Sequence, residues 1–571
     1  MNIRRMRVVR KLVESSICIL LFFMVACSNP KIEQVQYEDI YSGVEFKMPK
    51  VIEPDFPKYT VSILEYNAVS NGLELNTKAI NDAINDVAEN GGGTVVIPKG
   101  IWMTGPIVLQ SNVNLCAEEG ALVVFSPDKS QYPLIESSFE GLNTVRCQAP
   151  IYGLNLENIA ITGKGIFDGS GGAWRHVKKD KVSPSKWEEL VASGGVVSES
   201  KEEWYPSASY KKGVETSDMN VPVKYDNKED YNDIKDFLRP VMVNLVKCNK
   251  VLIDGPVFQN SPAWNIHPLM CENLTVRNIV VRNPWYSQNG DGIDIESCKN
   301  SVLYNSSFDV GDDAICIKSG KNKDGRERGM PNENLIVKNC IVYHGHGGVT
   351  VGSEMSGGVK NLHVSGCTFI GTDVGLRFKS TRGRGGIVEN IYISDISMID
   401  IPTNAISFNM YYGGLSVSEM LSQKSTKEET LVCEITEETP QFKNISIRNI
   451  SCKGANQAIY LQGLPEMNLK NVSLENIDIK AKKGLTCIDV DGIEINNLNL
   501  KVDVKPALEF VNTKNAKITG LILPDFLESS IAIKGKETEN FSINMISKVA
   551  KENVLILDDT VDENSIELTV N

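Results

Sequence analysis

A short motif repeats along most of this 571-residue chain. An asparagine is followed by an apolar residue and then by alternating residues, as in ENLTVRN (272–278), ENLIVKN (333–339) and ENIYISD (389–395). From Asn273 to Asn390 the successive spacings of this asparagine are 27, 34, 27 and 29 residues. Alternation with a period of two indicates strands, and a repeat of this length is typical of stacked coils. The repeat therefore predicts a solenoid in which each coil carries short strands.

The repeat favours an all-β, right-handed parallel β-helix. A leucine-rich solenoid has similar periods, but there is no regular leucine pattern and no helix in each repeat. Crossovers between parallel strands are right-handed almost without exception. The recurring asparagine predicts an internal ladder at one turn, because its amide can satisfy the open backbone groups of a bend. The segment AINDAINDVAEN (79–90) has apolar residues at helical spacing and is predicted to be an N-terminal capping helix.

The N-terminal residues predict a targeting segment followed by a tether. Arginines near the start and an apolar run of ten residues (17–26) precede Cys27. The run is too short to span a bilayer and resembles a bacterial lipoprotein signal with Cys27 as the lipid anchor. A lipid-anchored protein of the cell envelope, periplasmic or on the cell surface, is expected. The predicted division is a signal peptide (1–27), a tether (28–58), a catalytic β-helix (59–535) with insertions at 170–238 and 413–440, and a last coil or cap (536–571).

Charge and cysteine content exclude some classes. The formal charge is −13, so no overall basic field attracts nucleic acid, and an anionic ligand would have to meet a local group of cations. The 13 cysteines show no metal-ligand spacing. The disulfide pattern and the oligomeric state stay open.

Four segments between 289 and 380 align on a shared serine, and they carry the unusual residues. They read DGIDIES (291–297), DAICIKS (313–319), GGVTVGS (347–353) and VGLRFKS (374–380). In stacked coils, aligned positions become columns with neighbours about 4.8 Å apart. Asp291 then shares a column with Asp313, and Asp312 shares the preceding one with His346, while Arg377 and Lys379 lie outward on the fourth strand.

This convergence predicts an acid–base site. Carboxylates this close cannot all ionise cheaply, so one should hold a proton with raised affinity. One carboxylic acid that protonates a leaving oxygen, with others that orient water, is the arrangement for hydrolysis of a glycosidic bond. The two cations can bind an anionic substrate or simply neutralise the aspartates.

The motifs NGD (289–291), GDD (311–313), GHG (345–347) and RFK (377–379) resemble, in this order, the four motifs of glycoside hydrolase family 28, the polygalacturonases and related pectin hydrolases. The resemblance covers about residues 59–530. It implies a pectate-lyase-like, single-stranded right-handed parallel β-helix that hydrolyses α-1,4-galacturonosidic bonds with inversion and without a metal or other cofactor. A pectic polysaccharide or oligogalacturonide is then the substrate.

The resemblance also implies roles for individual residues. Asp312 matches the general acid, and Asp291 and Asp313 match the pair that activates water. His346 matches a supporting position and Arg377 and Lys379 the carboxylate-binding positions, while substrate contacts are also expected from Asn289, His267 and Tyr411, with Tyr412 beside it. The chain departs from the family pattern at Gly290, Ala314 and Phe378 without loss of an ionisable group.

Several alternatives remain open at this stage. The long insertions and the loop 321–334 resemble those of exo-acting bacterial members, which favours release from a chain end. Rhamnogalacturonan and xylogalacturonan are related substrates that the motifs do not separate. A pectate-lyase-like enzyme would need a calcium site, and a non-catalytic pectin-binding β-helix would be expected to have lost the aspartates.

Overall fold

A computed structural model describes residues 39–218, 220–222, 224–225, 227–412, 432–522, 530–546 and 554–570. Residues 44–571 form one compact unit. Nearly all of its strands join one 36-stranded sheet in which every pairing is parallel, and strands pair with the coil before and the coil after. The predicted parallel β-helix is therefore confirmed.

The helices are α1 (Thr77–Glu89), α2 (Pro184–Ala192), α3 (Ala208–Glu215) and α4 (Asn322–Arg328). The strands are, in chain order, β1 (Thr60–Ser62), β2 (Asn71–Leu75), β3 (Gly93–Ile97), β4 (Gly100–Thr104), β5 (Ile107–Val108), β6 (Val113–Ala117), β7 (Ala121–Phe125), β8 (Leu134–Phe139), β9 (Leu142–Cys147), β10 (Ile151–Leu154), β11 (Glu157–Gly163), β12 (Ile166–Asp168), β13 (Val177–Lys178), β14 (Val196–Val197), β15 (Glu203–Tyr205), β16 (Ser217–Asp218), β17 (Val221–Pro222), β18 (Val243–Val246), β19 (Asn249–Asp254), β20 (Val257–Gln259), β21 (Ile266–Leu269), β22 (Glu272–Arg277), β23 (Val280–Arg282), β24 (Ile293–Glu296), β25 (Lys299–Tyr304), β26 (Ser307–Asp309), β27 (Ile315–Lys318), β28 (Asn332–Lys338), β29 (Ile341–His344), β30 (Gly347–Val351), β31 (Val359–Ser365), β32 (Thr368–Ile370), β33 (Val374–Lys379), β34 (Ile387–Asn409), β35 (Gln441–Gln462), β36 (Leu469–Ile488), β37 (Val490–Val502), β38 (Leu508–Val511), β39 (Lys514–Ile522), β40 (Ile531–Lys534), β41 (Glu539–Ile546), β42 (Leu555–Leu557) and β43 (Ile566–Val570).

Each coil contributes a strand to three ladders. The first ladder runs through β19, β22, β25, β28 and β31, the second through β20, β23, β26, β29 and β32, and the third through β18, β21, β24, β27, β30 and β33. The long strands β34, β35 and β36 pass through all three ladders in turn. Three ladders enclose one interior, so alternate side chains of every strand point into it.

The interior is a single apolar column that extends from Val61 to Leu568. Aligned positions hold similar side chains, and the rings of Phe378 and Phe408 stack with centroids 4.1 Å apart. The helix α1 lies at the N-terminal end, where its apolar side Ile80, Ala83, Ile84 and Val87 is fully buried against this column. A solenoid otherwise exposes its core at its ends, so α1 serves as the expected cap.

The predicted asparagine ladder is present at the start of the first ladder. The side-chain amide of Asn334 donates to Asn300 over 2.9 Å, and the amide of Asn361 donates to Asn334 over 2.9 Å. Asn334 has a φ of 60°, and the other members also take the left-handed conformation. Asparagine tolerates that conformation better than other residues with a side chain, and it can bond to the coils on both sides.

Two predicted segments add structure outside the plain β-helix, and a third continues it. Residues 44–58, assigned to a tether, lie against the first ladder, where Glu45 contacts His363 over 2.7 Å and Glu53 contacts Arg277 over 2.5 Å. The insertion 170–238 has an apolar core of its own, and its side chains pack on β8 and β9. Strands β41, β42 and β43 continue the ladders, as expected of a last coil.

The signal peptide, Cys27 and most of the insertion 413–440 lie outside the described residues, so lipid anchoring and envelope localisation stay predictions. Within the described ranges, no helix has the length and apolar character that crossing a membrane requires.

Replacing Asn334 by alanine should destabilise the coil stack. The change removes two amide hydrogen bonds and leaves a less tolerant residue at positive φ, a loss of about 2–4 kcal/mol in the free energy of unfolding. Asn540→Ala is the matched control, because Asn540 has a similar φ of 57° but makes its amide bond at the exposed end of the ladder. Urea midpoints should fall clearly more for Asn334→Ala, and equal midpoints would contradict the ladder's role.

Candidate active site

The motif residues meet at the turn between the second and third ladders. Pairing of Ile293 with Ile315, and of Ile315 with Val349, aligns the strands that follow this turn. The same register places Asp291 beside Asp313 in one column. The amide of His346 donates to the carbonyl oxygen of Asp312 over 2.9 Å, which fixes the preceding column. The columns derived from the sequence therefore match the register.

The three aspartates lie close together. One carboxylate oxygen from each of Asp291, Asp312 and Asp313 can be chosen so that all lie within 4.8 Å of one another. Their exposure differs, since the side chain of Asp312 is 22% exposed while those of Asp291 and Asp313 are 5% and 3% exposed. Asp312 is thus the carboxylate that a bound ligand can reach most directly.

Asp313 is held by two cations. Arg377 donates to Asp313 Oδ1 over 2.9 Å and Lys379 donates to Oδ2 over 2.8 Å. Burial alone would raise the pKa of Asp313, but Lys379 and Arg377 outweigh it and hold the pKa far below its usual range. Asp313 is therefore ionised, and both cations expected to bind substrate are already engaged by it.

Asp312 is held by donors from three directions. His346 Nδ1 lies 3.0 Å from Oδ1, the Asp313 amide donates to the same oxygen over 3.0 Å, and the Asn289 amide donates to Oδ2 over 3.2 Å. Burial would raise the pKa of Asp312, but the hydrogen bond and charge of His346 outweigh it and lower the pKa. The same hydrogen bond raises the pKa of His346. In the free protein the proton between them favours the imidazole.

Asp291 has the opposite environment. Burial, with the charges of Asp294 and Asp312, raises the pKa of Asp291 well above its usual range. Its Oδ2 accepts a weak bond from the Cys316 thiol over 3.4 Å and lies 3.9 Å from the Lys318 amine. Among the described residues its Oδ1 has no hydrogen-bond partner. A carboxyl in this position holds its proton at higher pH than its neighbours do.

A buried lysine supports the cluster from behind. Lys318 Nζ lies 3.0 Å from Asp294 and 3.4 Å from Glu354, and it sits 3.9 Å from the centre of the Trp264 ring. Burial raises the pKa of Asp294 to about 6 in spite of Lys318. For Glu354 burial is outweighed by Lys318, and its pKa is lowered to about 2. Lys318 thus compensates the negative charges of the two buried carboxylates Asp294 and Glu354.

The wall of the site comes from distant parts of the chain. Glu140, at the tip of the β8–β9 hairpin, accepts from Asn220 over 2.9 Å and from Asn289 over 3.2 Å. Arg239 donates to the side-chain oxygen of Asn289 over 3.0 Å. No motif marked Glu140 or Arg239, since neither belongs to a repeat. Lys318 lies in the aligned segment 313–319, but its supporting contacts depend on Trp264 and Glu354, which only the fold brings near.

Two expected substrate contacts are enclosed. His267 has no exposed surface, and its Nε2 lies 2.8 Å from Glu296. Tyr411 is 5% exposed and lies beside Arg382. The neighbouring Tyr412 is 37% exposed, with Lys379 4.8 Å from its ring centre. Of the two tyrosines, Tyr412 is the one open to a ligand, and His267 orders the structure beneath the site.

Comparisons with known proteins point to one family. The sequence profile of Glycosyl hydrolases family 28 matches residues 212–497. A probable polygalacturonase of Vitis vinifera is 27% identical over 76% of this chain and 78% of its own length. An exo-poly-alpha-D-galacturonosidase of Dickeya chrysanthemi is 25% identical over 81% of this chain and 74% of its own length.

Solved structures give the same picture. An exopolygalacturonase of Thermotoga maritima has a TM-score of 0.61 at 26% identity, and the match covers 79% of this chain and 94% of that one. A family 28 exopolygalacturonase of Yersinia enterocolitica has a TM-score of 0.63 at 20% identity, with 81% of this chain and 79% of that one covered, which supports the fold.

Replacing Lys318 by methionine should destabilise the protein most at neutral pH. Removal of a buried partner leaves Asp294 and Glu354 uncompensated, at a cost of about 3–5 kcal/mol at pH 7. The pKa of Asp294 is raised from its ordinary 3.8 to about 6, so this carboxyl favours folding at low pH and loses that effect as the pH rises through this range. Without Lys318 its pKa rises further.

The deficit of Lys318→Met in thermal melts should therefore be smaller at pH 4.5 than at pH 7.5. Lys323→Met is the control, because the Lys323 side chain is 76% exposed and its pair with Glu327 spans 3.6 Å, and its melts should stay near wild type. A deficit of equal size at both pH values would show that Lys318 acts through packing alone.

Proposed function

Because the chain belongs to glycosyl hydrolases family 28, we propose that it cleaves α-1,4-galacturonosidic bonds of pectin, from a chain end and with inversion. It is a glycoside hydrolase of the polygalacturonase type. The observation that carries the proposal is the accessible Asp312 between a protonatable imidazole and the buried pair Asp291 and Asp313. This arrangement offers a proton donor on the open side and bases behind it.

In the proposed mechanism Asp312 protonates the leaving glycosidic oxygen, while Asp291 and Asp313 activate a water molecule. Its proton passes to Asp313, because Asp313 is ionised and Asp291 holds its own proton more firmly. Arg377 and Lys379 bind the carboxylate of a galacturonate next to the bond that breaks. Both cations already contact Asp313, so an arriving carboxylate would share them with it. Tyr412 lies beside these cations and offers a ring face to the sugar.

The proton for Asp312 can come from His346. In the free protein His346 holds this proton, because the hydrogen bond and the charge of the imidazole lower the pKa of Asp312. A galacturonate carboxylate adds a negative charge near Asp312 and draws on the cations that favour its ionised form. Both effects raise the affinity of Asp312 for a proton. Transfer over the 3.0 Å between Nδ1 and Oδ1 would leave a neutral imidazole and a carboxylic acid.

Exo action is supported by the hairpin β8–β9, which covers the third ladder on the N-terminal side of the aspartates. The Phe139 ring packs 4.6 Å from the Trp264 ring, and the carbonyl oxygen of Gly141 accepts from Lys321 over 3.0 Å. Beneath it, outward-facing side chains of β18, β21 and β24 are at most 2% exposed, namely Asn244, His267, Asp294 and Glu296. Among the described residues, the hairpin therefore blocks extension of a polymer toward the earlier coils and favours extension toward the later ones.

Inversion is supported by the family and not by the spacing of the carboxylates. Inverting enzymes usually separate acid and base by about 6.5–9.5 Å. Here one oxygen of each aspartate lies within 4.8 Å of the others, which is shorter than that range. The water would have to sit beside the Asp291 and Asp313 pair and not directly between opposed carboxyl groups. The stereochemistry of the first product is thus a direct test.

Replacing Asp312 by asparagine should lower kcat on polygalacturonate by about 10²–10⁴-fold, since the proton donor is lost. Release of reducing ends at pH 5–6 is the measurement. Asp309→Asn is the isosteric control, because Asp309 is half exposed and its side chain pairs with His344, outside the group of three aspartates. Retention of more than a tenth of the activity in Asp312→Asn would mean that another group is the acid.

Time-resolved proton NMR of the reaction should show one short product from the start, with its new reducing end in the β configuration. Release from a chain end predicts that viscosity falls slowly relative to the number of bonds cut. A mixed ladder of oligomers would contradict exo action, and an α product would contradict inversion. The same spectra on rhamnogalacturonan and xylogalacturonan distinguish the related substrates.

A further inference from the structure

Lysines stack on the outer face of the second ladder in the later coils. Lys453 pairs in register with Lys480, and Lys480 pairs with Lys501. All three side chains are exposed, and none forms an ion pair with a carboxylate in the described part of the chain. Neighbours in such a ladder are about 4.8 Å apart, so three like charges repel one another.

The fold does not require this repulsion. The first ladder alternates opposite charges over six successive coils at one outward column before Lys470 follows Lys443, and these six residues are Glu272, Lys299, Glu333, Lys360, Glu389 and Lys443. Opposite charges across a ladder stabilise it, and like charges destabilise it. Three consecutive lysines in the second ladder therefore differ from the alternation that the first ladder keeps over those six coils.

Further lysines extend the stack toward the third ladder. Lys482 and Lys483 lie in the turn after Lys480, and Lys505 lies in the corresponding turn of the next coil, all three exposed. The acidic side chains of this face and of the turn that leads to the third ladder are Asp400, Asp478 and Asp503. Six lysines against three aspartates leave a local excess of positive charge on a chain whose formal charge is −13. We name this group of six lysines the lysine surface.

One member of the lysine surface, Lys483, lies on the line of residues that leads away from the aspartates. The register of the third ladder connects one column of residues through successive coils, which is Asp313, Gly347, Val374, Asn404, Gln457 and Lys483. Lys483 is thus five coils beyond Asp313, about 24 Å at the usual spacing of coils. The hairpin covers the opposite side, so among the described residues this is the direction left to a long chain.

We propose that the lysine surface is a distal binding site for the polyuronate chain whose end is cleaved at the aspartates. The inference rests on the proposed function for the identity of the polymer. An extended polyuronate carries one carboxylate per sugar, and its sugars repeat at a length close to the spacing of the coils. Successive carboxylates can then lie near successive lysines and relieve their repulsion.

Binding at two places on one polymer has a simple physical consequence. The lysine surface raises the local concentration of a long chain at the site, and a short oligomer that cannot reach it gains nothing. Exposed charges act through water, so the gain must decline as salt is added. The lysine surface thus affects KM for long substrates and leaves kcat unchanged, because its side chains are far from the bond that breaks.

The test compares two proteins with an equal change of charge. The first combines four substitutions in the lysine surface, namely Lys453→Gln, Lys480→Gln, Lys483→Gln and Lys501→Gln. The control combines Lys99→Gln, Lys201→Gln, Lys517→Gln and Lys536→Gln, all exposed positions away from the column. At low salt, KM for long polygalacturonate should rise about fivefold in the first protein. KM for trigalacturonate and both kcat values should match the control, and 0.5 M salt should abolish the difference.

An unchanged KM for the long substrate, or an equal change for trigalacturonate, would overturn the proposal. Direct binding separates its failure from that of the proposed function. In an Asp312→Asn background, retardation in gels that contain polygalacturonate should weaken with the four substitutions and should be absent with fully methyl-esterified pectin. Lysine-dependent retardation, together with a wild-type protein that shows no hydrolytic activity, would retain the surface and reject the catalytic assignment. Equal retardation by esterified pectin would reject the surface.

Discussion

The register of the third ladder determines where every charged group of the site lies. Asp291 and Asp313 are 22 positions apart in the sequence, yet they are neighbours because Ile293 pairs with Ile315. Since side chains alternate between the two faces of a strand, a slip of one residue would exchange the interior and exterior of a coil. The apolar column and the asparagine ladder both resist such a slip. The same interactions that stabilise the solenoid therefore hold the carboxylates in place.

Holding carboxylates this close has a cost that the surroundings offset in different ways. Arg377 and Lys379 keep Asp313 ionised, His346 does so for Asp312, and Asp291 is left with a raised pKa. Three chemically identical side chains thus differ in protonation because their neighbours differ. In the free protein this leaves Asp312 ionised, so the acid role proposed for it depends on the proton that His346 holds. Behind the three aspartates, the buried Lys318 compensates the negative charges of Asp294 and Glu354 in the same way.

Much of this could be predicted from the sequence, because the informative features repeat. The strand pattern and the asparagine spacing predicted the β-helix, and alignment of four segments predicted the columns of Asp291, Asp312, Asp313 and His346. Prediction was weaker where a contact joins segments far apart in the chain. Glu140 reaches the site from a hairpin that belongs to no coil. His267 was expected to contact the substrate, but it is buried against Glu296, which no local pattern encodes.

Charge distribution explains how an acidic protein can act on an acidic polymer. The overall charge repels a polyuronate, so attraction has to come from local groups of cations whose field is not cancelled within a Debye length of about 10 Å. Arg377 and Lys379 form one such group, but Asp313 neutralises much of it in the free protein. The lysine surface forms the other, and within the described residues its ladder lysines have no ion-pair partner. A chain held first at the unpaired lysines would approach the aspartates along the column that joins them, and only there compete with Asp313 for its cations.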